Sequence, residues 1–146
     1  FSTPVYIPLP GKMQNFLNRI CPILNPKLRI EEGRTRAILR NDIPINKFGI
    51  IATGGWWEIG NLDTIVRVID EIAKDAGIEF IPPILRPHAF LMRSKGIVTD
   101  EGENIMKLLE NAGKELIETG TIQAEVLNNI ARPLTSFQEF LETQSA

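Results

Sequence analysis

The stretch KFGIIATGGWWEIGN, residues 47–61, decides how the rest of the chain is read. Phe48 to Thr53 is short, apolar and rich in isoleucine. It shows no alternation of polar and apolar residues. That predicts a strand covered on both faces, as in a parallel sheet. The loop Gly54–Gly60 follows, and Asn61 is placed to cap a helix. Leu62, Ile65, Val66, Ile69, Ile72 and Ala73 then recur at helical spacing, and Gly77 is suited to stop the helix. A second strand is predicted over residues 78–81. Pro82 and Pro83 interrupt it, so a continuation to Leu85 belongs at a sheet edge. Strand, loop, helix, strand is the order of an α/β fold built on a parallel sheet.

In an open parallel sheet, ligands bind beyond the carboxyl ends of the strands. Gly54 and Gly55 fall at such an end. Without side chains they let a flat ligand approach the backbone and its N–H groups. Trp56 and Trp57, the only tryptophans of the chain, add broad apolar faces beside them. A planar, partly polar ring would suit that surface. The same indoles could equally fill a core or a subunit interface, and composition leaves both readings open.

The opening residues, FSTPVYIPLPGKM, read as the end of a strand followed by a Pro-rich turn. Met13, Phe16, Leu17 and Ile20 then share one helical face, and Cys21 beside them reads as a small core residue. Pro22 ends that helix. Two strand-end loops that both offer backbone and aromatic groups would converge if their strands are neighbours. Residues 22–46 read as a long, irregular connection carrying Arg29, Arg34, Arg36 and Arg40. It is either a solvated excursion or a lobe that holds an anionic ligand or a neighbouring subunit. From residue 93 onward the chain reads as helical. Thr99 caps a helix with Asp100 and Glu101 in its first turn. Ile105, Leu108, Leu109, Ala112 and Leu116 form its stripe, and Gly120 ends it. Residues 121–131 form another helix closed by Pro133, and Ser136 with Glu139 matches a capping box. Leu127, Ile130, Leu134, Phe137, Phe140 and Leu141 are more apolar surface than a tail should expose. They serve either a subunit contact or packing on the same domain.

The chain has 146 residues, 43% of them hydrophobic, with a formal net charge of -2 and a pI near 5.5. These values suit one globular domain with a core and lack the basic footprint of a nucleic-acid binder. A single cysteine excludes an internal disulfide and a cysteine-based metal site. No apolar run reaches the roughly 20 residues needed to cross a bilayer, and no signal-peptide pattern is present, so a cytoplasmic location is expected. His88, the one histidine, sits in LRPHAFLM, either near a substrate or as a structural residue at the edge strand.

The segment TPVYIPLPGKMQNFLNR resembles S-P-V-Y-x-x-x-x-G-x-[LM]-K-x-F-[IL]-D-R of flavodoxin-like NAD(P)H-dependent FMN reductases. That group includes the iron–sulfur flavoproteins and related multimeric quinone reductases. IIATGG resembles the family's next strand and its flavin loop. The likeness covers residues 1–85. Asn18 stands where the family has aspartate, and Trp56, Trp57 and Glu58 replace a Gly-rich continuation. The resemblance implies a flavodoxin-like α/β sheet over residues 1–92, with residues 93–146 as a helical extension. It implies that Pro4, Val5 and Tyr6 line the FMN isoalloxazine and that Thr53, Gly54 and Gly55 approach its other edge, with Trp56 and Trp57 alongside. It implies NAD(P)H as cosubstrate, a quinone, flavin or iron–sulfur electron acceptor, and a homo-oligomer. The family's first two strands, its phosphate-binding loop and any cluster cysteines would lie upstream of Phe1. The chain is therefore expected to be the later part of a domain whose N-terminal segment accompanies it.

Overall fold

The computed structural model describes the backbone of residues 2–5 and the whole of residues 9–144. The strand predicted at residues 48–53 forms in two pieces, β4 (Lys47–Phe48) and β5 (Ile51–Gly54). β5 is the middle strand of a three-stranded parallel sheet, between β1 (Ser2–Val5) and β7 (Ile84–Arg86). β4 pairs in parallel with β6 (Glu79–Phe80). The partner of this strand therefore changes register partway along, from Phe48 opposite Phe80 to Ile51 opposite Ile84. Ile81 N–H donates to the Phe48 carbonyl at 2.8 Å and Ile84 N–H to the Ile50 carbonyl at 2.9 Å. Pro82 and Pro83 between them have no N–H to give, so the extra residue is absorbed where the ladder has no donors. The strand does continue past both prolines, and β7 lies at the sheet edge, as the sequence predicts.

Two helices cover one face of the sheet. α1 (Gly11–Asn18) buries Leu17, and α2 (Asp63–Ala76) buries Ile65, Ile69, Ala73 and Ala76. Leu17, Ile50, Ala52, Leu62, Ile65 and Ile69 form one core cluster. Gly77 ends α2 at φ 70, the left-handed cap its position predicts. Asn61 is not the N-cap. Residues Ile59–Leu62 form a 3-10 turn that leads into α2, and the Asn61 side chain donates back to the Glu58 carbonyl at 3.1 Å.

On the other face, α3 (Asp100–Thr119) and α4 (Ala124–Ala131) join the edge strand. Ile84, Ile105, Ala112, Ile122 and Ile130 form a second cluster there, joined by Leu127 and Leu134. Thr99 caps α3, its hydroxyl accepting from Gly102 N–H at 3.0 Å, and Gly120 closes it at φ 80. The covering is incomplete. Ile51 is 38% exposed beside an apolar cavity of about 400 Å³ lined by Ile50, Ile81, Ile84, Leu116 and Ile122. The expectation of a strand sealed on both faces is therefore corrected at Ile51.

The connection over residues 22–46 is irregular only from 40 to 46. β2 (Leu24–Glu31) and β3 (Arg34–Leu39) form an antiparallel hairpin. Glu32 and Gly33 turn it with φ 51 and 72, the pairing of positive dihedrals a two-residue hairpin loop of matching twist requires. Arg36 is buried and reaches Glu71 of α2 at 2.9 Å, and Arg29 donates to the Lys74 carbonyl at the end of the same helix at 2.6 Å. The region after residue 93 is not wholly helical either. β8 (Arg93–Ser94) and β9 (Ile97–Val98) make a small hairpin around Lys95 and Gly96, at φ 49 and 83. Cys21, expected in the core, is exposed in a 3-10 turn that follows α1. It borders a cavity of about 520 Å³ between α1 and α2.

The last helix, α5 (Phe137–Gln144), starts at the predicted capping box. Glu139 N–H donates to Ser136 Oγ at 3.3 Å and Ser136 N–H to Glu139 Oε2 at 2.9 Å. Phe140 is buried, while Phe137 and Leu141 are 49% and 43% exposed. Ile130 and Phe140 are thus used in packing on the same chain, whereas Met106 and Ile117 of α3, at 55% and 85%, are exposed along with Phe137 and Leu141. Among the described residues no helix is long and apolar enough to cross a membrane.

Candidate functional site at the strand ends

β1 and β5 run parallel with Pro4 opposite Thr53 and Val5 opposite Gly54. The two strands predicted to end at one place do end side by side. On the other flank Thr53 stands opposite Arg86, so three carboxyl ends finish at one level. The chain turns into α1 after the first and into the Gly-Gly-Trp-Trp loop after the second.

The two glycines differ. A Cβ on Gly54 would meet Leu62 Cδ2 at 3.3 Å, whereas one on Gly55 would meet none of the described residues within 4 Å. Gly54 lets the turn before α2 close over the strand end. Gly55 leaves space outside it that none of the described residues fills. Thr53 is half-buried. Pro4 and Val5 are placed by their backbone only, and Tyr6 lies outside the described residues.

The tryptophans part company. Trp56 is 47% exposed. Trp57 is half-buried in an aromatic cluster. Its ring stacks on His88 with centroids 5.0 Å apart and planes at 14°, and it meets Phe137 and Phe140 at 5.5 Å each. One indole is therefore engaged by α5, and the other flanks the open strand end.

His88 holds this arrangement together. It follows β7 directly, with its backbone in the left-handed region at φ 36, and its N–H donates to the Trp56 carbonyl at 3.1 Å. Its ring is 1% exposed. Nε2 lies 2.8 Å from Arg86 Nη2 and accepts from Leu134 N–H at 3.3 Å. Two donors on Nε2 place the ring proton on Nδ1, which is buried and makes no well-formed hydrogen bond among the described residues, although the Trp56 and Trp57 backbone lies close enough to favour its protonated form slightly. Burial first, then the charge of Arg86, pushes the imidazole down to about 4. His88 is neutral at pH 7.

Arg86 is itself 2% exposed, and among the described residues no carboxylate forms an ion pair with it. Its guanidinium donates to the carbonyls of Pro87 at 2.8 Å, Ile130 at 2.5 Å and Arg132 at 2.8 Å. Desolvation, and then the nearby Arg132, lowers it to about 10, so it stays charged. A cation at the carboxyl end of α4 is favoured by the carbonyl dipoles gathered there. Sequence reading singles out His88 without placing it and passes over Arg86. The available signal is a polar pair, Arg-Pro-His, ending an otherwise apolar strand.

Among the described residues no group of three or more His, Cys, Asp or Glu is arranged to hold a metal ion. No protein-family model matches the chain, and no curated protein and no solved structure matches it.

Proposed function

We propose that the protein is an FMN-dependent oxidoreductase of flavodoxin-like fold, with the flavin ring seated at the carboxyl ends of β1 and β5. The observation that carries this reading is the alignment of those two strand ends, Val5 opposite Gly54, with none of the described residues filling the space outside Gly55. The parallel order β1-β5-β7, with α1 and α2 on one face, supports the fold.

The residues present suit such a guest. Pro4, Val5 and Tyr6 would line the ring from one strand end. Thr53, Gly54 and Gly55 would meet its edge from the other, offering N–H groups where negative charge collects on reduction. Trp56, half-exposed, would cover one side, while Trp57 supports the loop from within. Bound FMN would supply the redox chemistry, accepting hydride from NAD(P)H and passing electrons to a quinone, a flavin or an iron–sulfur acceptor. The chain's own work is to position the ring and exclude water, and no side chain needs to move a proton.

The test is flavin binding followed by turnover. The full-length protein should quench FMN fluorescence on binding and oxidise NAD(P)H when a quinone is present. Gly55→Val should weaken FMN binding roughly tenfold or more, because a side chain would fill that space, while leaving thermal unfolding unchanged. Absence of FMN binding would overturn the reading. Binding without steady-state oxidation would instead make the protein an electron carrier.

A further inference from the structure

The hairpin β2/β3 presents its charges and its apolar groups the wrong way round for a surface excursion. Arg29, Arg34 and Arg36 turn toward α2 and its carboxyl end, where Arg36 and Arg34 reach Glu71 and Arg29 reaches the carbonyls of Lys74 and Asp75. Leu28 and Ile30 point outward, 65% and 75% exposed, with Ile38 of β3 at 38%. Among the described residues β2 pairs only with β3. Among the described residues its other edge is open over residues 28–31, beyond which the Lys27 N–H is taken by Asn25 Oδ1 at 2.9 Å and Pro26 has no N–H to donate.

That edge is self-complementary. The two-residue turn at Glu32 and Gly33 makes Glu31 and Arg34 the closing pair. Alternation along the strand then turns the backbone groups of Ile30 toward the open edge, and two residues back those of Leu28. An antiparallel copy of β2 centred on Arg29 sets Leu28 opposite the other copy's Ile30, and Ile30 opposite its Leu28. In the same register Lys27 stands opposite Glu31, twice. Shifting the centre by one residue either way places one of the apolar pair opposite Pro26 or Glu32. At the centre the two Arg29 side chains are already committed, each to its own Glu31 at 2.8 Å and to α2 carbonyls. Lys27 has no ion pair among the described residues.

We propose that a second copy of this chain docks on β2, forming an antiparallel, two-fold β2–β2 contact held by Leu28–Ile30 pairing and flanked by two Lys27–Glu31 ion pairs. The contact joins two hairpins into one four-stranded sheet and closes the open edge. It involves none of the strand-end residues and stands whether or not flavin binds.

A charge exchange tests it. Lys27→Glu and Glu31→Lys each convert both flanking pairs into repulsions in a homodimer. A mixture of the two variants restores both pairs. The introduced carboxylate of one chain then faces the introduced ammonium of the other, and the unchanged Glu31 faces the unchanged Lys27. Sedimentation equilibrium across a concentration series should show the wild type associating, each variant alone at least about tenfold weaker, and the equimolar mixture recovering association. Circular dichroism of each variant should match the wild type. Recovery on mixing cannot come from a folding defect. A wild type that is monomeric throughout, variants that associate as the wild type does, or a mixture no tighter than its components would each overturn the proposal.

Discussion

His88 should make the protein acid-sensitive well above the range where its carboxylates titrate. The ring is 1% exposed and its folded pKa is about 4 against 6.5 when free. The unfolded chain takes up a proton as pH falls through 6.5, and the folded chain refuses it until about 4. Stability is therefore full above 6.5 and is lost as pH falls between the two values. Lowering the pH from about 7 to about 4.5 should cost on the order of 2 kcal/mol from this one group. Urea unfolding followed by tryptophan fluorescence measures it, with His88→Gln as the reference. The glutamine carbonyl can accept from Arg86 and Leu134 in place of Nε2 but does not titrate. That variant should be less stable at neutral pH, having lost the stack on Trp57, yet show a flatter dependence between pH 7 and 4.5. Glu71, Glu110 and Asp42 are held low by arginine or lysine partners and Glu139 by hydroxyl and backbone donors. They act alike in both proteins and mostly at lower pH, so the difference isolates His88. Parallel pH profiles for the two proteins would refute the reasoning.

Other consequences follow from close contacts. A Cβ on Gly102 would stand 2.2 Å from the Met92 carbonyl oxygen. Gly102→Ala should therefore destabilise by about 2 kcal/mol through overpacking, despite alanine's better helix propensity. A Cβ on Gly113 in the same helix would meet none of the described residues within 4 Å, so Gly113→Ala should stabilise by up to about 1 kcal/mol; chemical denaturation reads both. Glu139 is held down to about 2, first by the Thr135 hydroxyl and then by the N–H and hydroxyl of Ser136. Thr135→Val should move its midpoint up toward the ordinary carboxylate range in a carbon-detected NMR titration. Phe140→Ala should speed amide exchange at Trp56 and Trp57 while leaving Ala52 and Thr53 in the middle of β5 protected, because Phe140 touches the loop through Trp57.

The elements legible in the sequence are those whose polarity follows their geometry. α2 shows its buried stripe outright, and Gly77, Thr99, Gly120 and the Ser136–Glu139 box each carry the residue type their backbone demands. The β2/β3 hairpin is hidden because its pattern is inverted. Its inward side chains are arginines neutralised by Glu71 and by helix carbonyls, and its outward ones are Leu28 and Ile30. A pattern rule that sends charge to solvent reads such a segment as a loop. Pro26 at the register shift between Asn25 and Arg29 hides it further. Cys21 reads as buried only if the helix runs on, and the helix ends at Asn18, before the face that would have buried it completes another turn. For the candidate site, the sequence shows two strand-end loops that converge if their strands are neighbours, and the adjacency itself comes from the pairing of β1 with β5. The clasp behind the site is not legible, since nothing local in Arg86 or His88 tells that the carbonyls of Ile130 and Arg132 will arrive from 44 and 46 residues away.

That clasp explains why two adjacent indoles follow the glycines. A loop beyond a strand end has no ladder to hold it, and a Gly-Gly lead makes it more pliant still. Trp57 supplies the missing restraint by burying its ring against His88, Phe137 and Phe140. His88 in turn is fixed by Arg86, and Arg86 by the carboxyl end of α4. The C-terminal helices thus reach the strand ends through a chain of buried contacts and hold Trp57 from behind. Trp56, one residue earlier, is left facing outward beside Gly55. Exchanging the two roles would take a shift of one residue in the loop. The His88 N–H bond to the Trp56 carbonyl opposes that shift, so the same histidine that packs one indole also sets the register of the other.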